Sequence, residues 1–230
     1  MTSAKAPHDP VGPLALVGGG EWRDGCTFDA DLLAASGGSS VLILPTAAAY
    51  EGPAQSVEWA THWFATLGGD ARGLMVLGRP DAEDETNAAA VRAAKFIYLS
   101  GGSPLHLRSV FKESRLWEAL VAAWRAGAVL AGSSAGAMVL GDPMVDPRGG
   151  AFTLGLGLLE NVAVMPQAST WSHDRVHRTI KLAPAAVALV AIDEQTALLR
   201  SPDGDWSVAG VGGVTVYRAG VDVGLAGLPG

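Results

Sequence analysis

Short apolar runs alternate with longer amphipathic or alanine-rich segments through the first 150 residues. The apolar runs are continuous rather than alternating, which is typical of strands that are buried on both faces. They are LALVG (14–18), SVLILPT (40–46), GLMVLG (73–78), FIYLSG (96–101) and AVLAG (128–132). The pattern therefore predicts five buried strands.

The segments between these runs are typical of helices, and they cover 27–36, 53–68, 84–94 and 114–127. In the last of them, Leu116, Leu120, Ala123 and Trp124 form one apolar stripe, and Gly127 ends the helix. Strands that alternate with helices require right-handed crossovers. The sequence thus predicts an α/β fold, a three-layer sandwich with a mainly parallel central sheet.

After residue 150 the pattern changes to short strands separated by glycine-rich turns. One helix is expected at about 172–183. The runs AVALVAID, TALLR, SVAGVG and VTVYRAG predict C-terminal antiparallel strands that extend the same sheet. We expect a flexible tail over residues 1–13 and a single domain over 14–230.

Three glycine-rich stretches follow predicted strands: GGGEW (18–22), SGGSPLHL (100–107) and GSSAG (132–136). Parallel sheets bind ligands beyond the carboxyl ends of their strands, so these stretches predict a site at one edge. In the third, Ser134 lies in a G-x-S-x-G pattern between a strand and a helix, which is typical of a nucleophile elbow. Small residues also crowd such turns for packing alone, so the pattern by itself leaves both interpretations open.

A serine that attacks a carbonyl group needs two N–H donors for the resulting oxyanion, each often worth about 3 kcal/mol. Ala135 supplies one amide, and Gly102 at the end of the neighbouring strand is the natural second donor. The same GGSP segment also predicts a helix start, with Ser103 as cap and Pro104 in the first position. His106 then either lines the pocket or packs within that helix.

Composition and charge limit the classes of binding partner that we expect for this protein. The net charge is −7, from 23 acidic and 16 basic side chains, which disfavours nucleic acid and anionic membranes. The sequence has a single cysteine, and it has no signal-like segment and no apolar run near 18 residues. These features predict a soluble cytoplasmic protein. GGGEW lacks the G-x-G-x-x-G spacing and no G-K-[ST] occurs, so no cofactor is expected. A homodimer is compatible with the sequence.

FIYLSGGSPLHL, AGSSAGAMVL and GDPMVDPRGGAFTLGLGLLENVAVMPQ together resemble the dipeptidase E and cyanophycinase family of serine peptidases over roughly residues 14–200. The resemblance implies a flavodoxin-like fold related to class I glutamine amidotransferases. It also implies Ser134 as nucleophile, Gly102 and Ala135 as oxyanion donors, and Asp142 as the acidic triad member. Such proteins cleave small or unusual peptides, often next to an aspartyl residue.

The resemblance places the catalytic histidine directly after the proline of VAVMPQ, where this chain has Gln167. Glutamine does not titrate near neutral pH and cannot act as a general base. His173, six residues later at a helix start capped by Ser172, is the replacement candidate, and a surface histidine is its equally weighted alternative. His62 is predicted to be a packed or half-exposed structural residue. The His173–His177 pair lacks a third ligand, so we expect no metal site.

Two functions remain open at this point. The first is a serine hydrolase of short peptides that uses Ser134, His173 and Asp142, with Gln167, Ser103 and His106 lining the substrate site. The second is a catalytically impaired family member that binds a small peptide or amino acid. Gln167 is the residue that separates them.

Overall fold

The computed structural model describes residues 11–229. Its helices are α1 Phe28–Ala35, α2 Pro53–Thr66, α3 Arg79–Glu83, α4 Glu85–Ala93, α5 Pro104–Phe111, α6 Arg115–Arg125, α7 Ala135–Leu140 and α8 His173–Leu182. Its strands are β1 Leu14–Val17, β2 Ser40–Leu44, β3 Asp70–Gly73, β4 Phe96–Leu99, β5 Val129–Ser133, β6 Gly141–Asp142, β7 Met144–Val145, β8 Phe152–Thr153, β9 Leu159–Glu160, β10 Val162–Pro166, β11 Ala188–Ile192, β12 Thr196–Arg200, β13 Trp206–Gly210, β14 Val214–Arg218 and β15 Val221–Asp222.

The central sheet has seven strands in the order β13-β12-β1-β5-β4-β2-β3. The five strands from β1 to β3 in that order are parallel, and β12 and β13 are added antiparallel at the β1 edge. Helices cover both faces, so each central strand is buried on two sides. In β4, Phe96 and Tyr98 pack with α1 and α2, whereas Ile97 and Leu99 pack with α4 to α7. This two-sided burial explains the unbroken apolar runs and confirms the predicted three-layer class.

Two C-terminal strands depart from the expectation. β12 and β13 extend the central sheet as predicted, but β11 and β14 belong to a second sheet with the order β15-β14-β11-β10-β6-β9. Within it, β10 and β11 run parallel. Sequence pattern identified these segments as strands, but it does not specify which neighbour a strand pairs with.

One strand of the central sheet lies earlier than predicted. β3 covers Asp70–Gly73 instead of 73–78. A Cβ atom on Gly73 would lie 2.5 Å from Val57 Cγ2, so the chain leaves the sheet beneath α2. Of the apolar residues that follow, Val76 is fully buried in the core, whereas Met75 is exposed.

The helix boundaries follow capping residues that the sequence displays. Ser103 Oγ accepts the His106 amide at 3.3 Å, and Pro104 opens α5, as predicted. Ser172 Oγ accepts the Arg175 amide at 3.4 Å at the start of α8. No helix within residues 11–229 is both long enough and apolar enough to cross a membrane.

The first ten residues of the predicted tail lie outside the described residues. Its last three residues are packed against the fold. The Gly12 amide donates to the Trp124 carbonyl at 2.7 Å, and the Pro13 carbonyl accepts the Leu130 amide at 3.0 Å. The described structure therefore begins in contact with the core.

A polar cluster lies buried between α1, α2 and β4. Asp29 is fully buried, and its Oδ2 accepts the Trp63 indole N–H at 2.9 Å. Its Oδ1, the Tyr98 hydroxyl and Trp22 Nε1 have no hydrogen-bond partner among the described residues. Burial raises the pKa of Asp29 to about 8, against a lowering by the Trp63 hydrogen bond. The folded protein therefore holds a neutral Asp29 at pH 7.

We expect the free energy of unfolding to fall as pH rises from about 4 to about 8, because the folded state keeps the Asp29 proton that the unfolded chain releases. The slope attributable to Asp29 is up to about 1.4 kcal/mol per pH unit. Asp29→Asn keeps an acceptor for Trp63 and should flatten this dependence in urea unfolding at pH 5, 7 and 8.5. Asp31→Asn, at an exposed position of the same helix, is the control. An unchanged slope in Asp29→Asn would contradict the assignment.

Candidate active site

Ser134 occupies a very tight corner between β5 and α7. Its backbone has φ +48° and ψ −106°, a sparsely populated region for a residue other than glycine. A Cβ atom on Gly132 would lie 2.6 Å from the Gly136 carbonyl carbon, and one on Gly136 would lie 2.5 Å from the Leu99 carbonyl oxygen. Both glycines of the G-x-S-x-G pattern are therefore required by space.

The corner is anchored on both sides. The Ser134 amide donates to the Val17 carbonyl at 2.9 Å, and the Ser134 carbonyl accepts the Met138 amide at 2.9 Å. All six residues of α7 are buried. The Ser134 side chain is half-buried and faces a cavity of about 1370 Å³.

Two amides flank this serine without an acceptor among the described residues. The Ala135 amide opens α7, where the helix offers no carbonyl to the first N–H groups. The Gly102 amide lies in the β4–α5 loop, which lines the same cavity. Gly102 has φ +132°, and a Cβ atom there would lie 2.3 Å from the Ala47 carbonyl oxygen. Only glycine fits this position.

Gln167 follows β10 and enters the cavity from a second side. Its backbone is left-handed, with φ +52° and ψ +40°, and its amide donates to the Gly18 carbonyl at 2.8 Å. Its side-chain Nε2 donates to Glu194 Oε1 at 3.1 Å. Because β10 and β11 are parallel, Gln167 and Glu194 emerge at the same edge of the second sheet. The cavity therefore brings Ser134, Gln167 and Glu194 together.

The structure does not bring Asp142 to this cavity. Asp142 pairs with Val162 at the start of β10, whereas Gln167 follows its end. Five residues of strand span about 16 Å. The Asp142 carboxylate instead accepts the Gly155 amide at 2.8 Å. The carboxylate that the fold supplies next to Gln167 is that of Glu194.

His173 is also placed away from Ser134. It is exposed at the start of α8 and does not line the cavity. Arg175 of the same helix donates to the Pro147 carbonyl at 3.0 Å, so α8 begins against the loop between β7 and β8. Among the described residues, no histidine hydrogen-bonds the Ser134 hydroxyl.

The remaining predicted lining residues have structural partners. His106 Nε2 lies 2.9 Å from the Leu77 carbonyl oxygen, and its ring packs edge-on against Tyr50 at 4.9 Å between centroids. Ser103 caps α5, and its amide donates to the Ala47 carbonyl at 2.8 Å. Neither residue lines the cavity with Ser134, whereas Gln167 does.

Several residues that line the cavity were not predicted from sequence, and three of them matter most for the site. His62 of α2 was expected to have only a structural role, but it is exposed and lines the cavity. Glu194 follows a parallel strand, a signal that could have placed it at this edge. Glu21 accepts hydrogen bonds from residues 80 and 112 positions away, so no local pattern reveals its role.

Comparisons with known proteins identify the family to which this fold belongs. The model of peptidase family S51 matches residues 14–205. The chain belongs to peptidase family S51. Its fold is similar to that of a peptidase from an acI-B1 actinobacterium, which is 32% identical with a TM-score of 0.82 over 91% of both chains.

Other relatives support the same family. A cyanophycinase from Synechococcus elongatus is 33% identical over 158 residues, 62% of this chain and 48% of that protein. A cyanophycinase from Trichormus variabilis is 30% identical over 62% of this chain and 51% of that protein. The chain thus spans about half the length of the curated relatives it matches. A putative peptidase E protein from Listeria monocytogenes shares the fold at 16% identity, with a TM-score of 0.68 over 88% of this chain and 100% of that one.

We expect Gly102→Ala to destabilise the S51 fold by at least about 1–3 kcal/mol, because alanine disfavours φ +132° and its Cβ atom would collide with the Ala47 carbonyl. Urea unfolding measures the change. Gly149→Ala is the matched control, since a Cβ atom at Gly149 meets nothing within 4 Å. Equal stability of the two variants would show that the β4–α5 loop is not as tightly packed as described.

Proposed function

We propose that this chain is a serine-type hydrolase of short peptides, with Ser134 as its nucleophile. The observation that carries the proposal is the corner at Ser134, a left-handed serine held between two glycines that no other residue can replace. In an elbow of this kind the hydroxyl projects from the backbone toward substrate, and the next amide points to the same place. Membership of family S51 supports the same reaction class.

In this proposal Gly102 and Ala135 donate their amides to the oxyanion that forms when Ser134 Oγ adds to the substrate carbonyl. Both amides lack an acceptor in the described structure, so no existing hydrogen bond has to break before they bind the developing charge. The tetrahedral intermediate then expels the amine, which takes up the proton that the Ser134 hydroxyl gives up, and water hydrolyses the acyl ester to a carboxylic acid and restores the hydroxyl.

The identity of residue 167 decides whether a base is present to take the proton of the Ser134 hydroxyl. A neutral amide at this position cannot take the proton of the Ser134 hydroxyl at pH 7. Without a base, catalysis falls to the contribution of binding and the oxyanion hole, about 10³ to 10⁴ over water. The hydrogen bond from Gln167 to Glu194 therefore favours a second candidate function, an impaired family member that retains the site to bind a small peptide or amino acid.

The charged side chains that line the cavity favour a ligand of complementary charge. Its described lining includes the carboxylates of Glu51, Glu58 and Glu194 and a single guanidinium, that of Arg23. Glu21 also lines the cavity, but both of its carboxylate oxygens already accept hydrogen bonds from the protein. This distribution suits an ammonium group better than a carboxylate. A preference for peptides next to an aspartyl residue, expected from the family resemblance, would therefore depend on Arg23.

We expect a fluorophosphonate probe to label the wild-type chain slowly and Ser134→Ala not at all, because the oxyanion donors still favour addition of Ser134 Oγ although no base takes its proton. Mass spectrometry of the labelled chain locates the adduct. Ser109→Ala removes an exposed hydroxyl outside the cavity and should label like the wild type. Failure of the folded wild type to label would overturn the hydrolase and leave the binding protein.

We expect Gln167→His to raise kcat on short peptide amides by at least about 10-fold, since the imidazole would lie between Ser134 and Glu194 and act as the missing base. The variant should also gain an acidic limb near pH 6.5 in its profile of kcat/KM. Gln167→Asn, which supplies an amide and no imidazole, is the control. A folded Gln167→His variant with no gain would show that this position is not where the base is missing.

A further inference from the structure

Glu21 makes two hydrogen bonds that join separate loops of the site. Its Oε1 accepts the Gly101 amide at 2.9 Å, and its Oε2 accepts the Ser133 hydroxyl at 2.8 Å. Gly101 immediately precedes Gly102 in the β4–α5 loop, and Ser133 immediately precedes Ser134 at the end of β5. One carboxylate therefore hydrogen-bonds the residue directly before Gly102 and the residue two positions before Ala135, and Gly102 and Ala135 are the two candidate oxyanion donors.

The contacts are close enough to fix a distance between the two loops. A Cβ atom on Gly101 would lie 3.1 Å from Glu21 Oε1 and 3.5 Å from Ser134 Cβ. Gly101 thus lies next to both the carboxylate and the serine. Ser133 is fully buried, and Glu21 is the partner of its hydroxyl in the described structure.

The β4–α5 loop is held from its other side as well. The Ser103 amide donates to the Ala47 carbonyl at 2.8 Å, and the Ser100 amide donates to the Leu44 carbonyl at 3.2 Å. These two hydrogen bonds attach the loop to β2 and to the turn after β2, but neither of them connects the loop to β5. Glu21 supplies the side-chain link between the loop and the end of β5.

We propose that Glu21 is a positioning residue, which sets the spacing of the Gly102 and Ala135 amides through Gly101 and Ser133. This inference rests on the proposed function, because it concerns the donors of the same reaction. Preorganised donors require such support, since a displacement of about 1 Å in a reacting group costs up to about 100-fold in rate. The hydrogen bonds of Glu21, rather than its negative charge, carry the effect.

This distinction gives a sharp test with two substitutions at one position. Glu21→Gln keeps both contacts, because its carbonyl oxygen accepts from Gly101 while its amide donates to a rotated Ser133 hydroxyl. Glu21→Ala removes both. We expect Glu21→Ala to lower kcat and the rate of fluorophosphonate labelling about 10- to 100-fold with KM within about 2-fold. Glu21→Gln should stay within about 3-fold of the wild type, and Ser133→Ala, which removes one contact, should be intermediate.

The other outcomes overturn the proposal in identifiable ways. Equal loss of labelling in Glu21→Gln and Glu21→Ala would mean that the charge itself is required, as for a proton acceptor. A rise in KM in both variants, with normal labelling by the uncharged probe, would mean that Glu21 binds a cationic group of the substrate. Normal kcat and labelling in Glu21→Ala would give Glu21 no part in the reaction.

Hydrogen–deuterium exchange tests the proposal without any turnover. Glu21→Ala should speed exchange in peptides covering 100–103 and 132–136, while Glu21→Gln should match the wild type. A wild-type chain that neither labels nor hydrolyses peptides would overturn the proposed function alone, and exchange would still decide whether Glu21 holds the loops. Unchanged exchange in Glu21→Ala would refute the positioning role.

Discussion

The close approach of backbone to backbone at Gly132 and Gly136 is the constraint on which the rest of the site depends. Because no side chain fits at either position, β5 can turn directly into α7, with Ser134 as the one residue forced into a left-handed conformation. Such a conformation costs about 1–3 kcal/mol, which the burial of all of α7 offsets. The strained serine and the apolar helix behind it are parts of one arrangement.

Sequence pattern was sufficient for the elements that depend on local chemistry. Four of the five predicted central strands, the stripe of α6 and the serine caps of α5 and α8 follow from neighbouring residues, and the structure has them; β3 lies earlier than its predicted run. The pairing of β11 and β14 in a second sheet could not be predicted in this way, because the sequence of an apolar strand does not specify which strand it pairs with.

The same distinction separates the parts of the site. The tight turn at Ser134 follows from five consecutive residues, and its glycines can be recognised by their spacing. Asp142 and Glu194 could be told apart only by knowing which end of β10 each one faces. Glu21 depends on contacts that join three loops distant in sequence, and these exist only once the sheet has formed.

The complete burial of α7 has a further consequence. This helix contacts the central sheet on one side and the second sheet on the other, so its position depends on the packing of both sheets. A substitution that changes side-chain volume between the sheets would therefore shift Ser134, which immediately precedes α7, without touching the cavity. In this fold, substitutions in the core far from the cavity would therefore alter the geometry at Ser134.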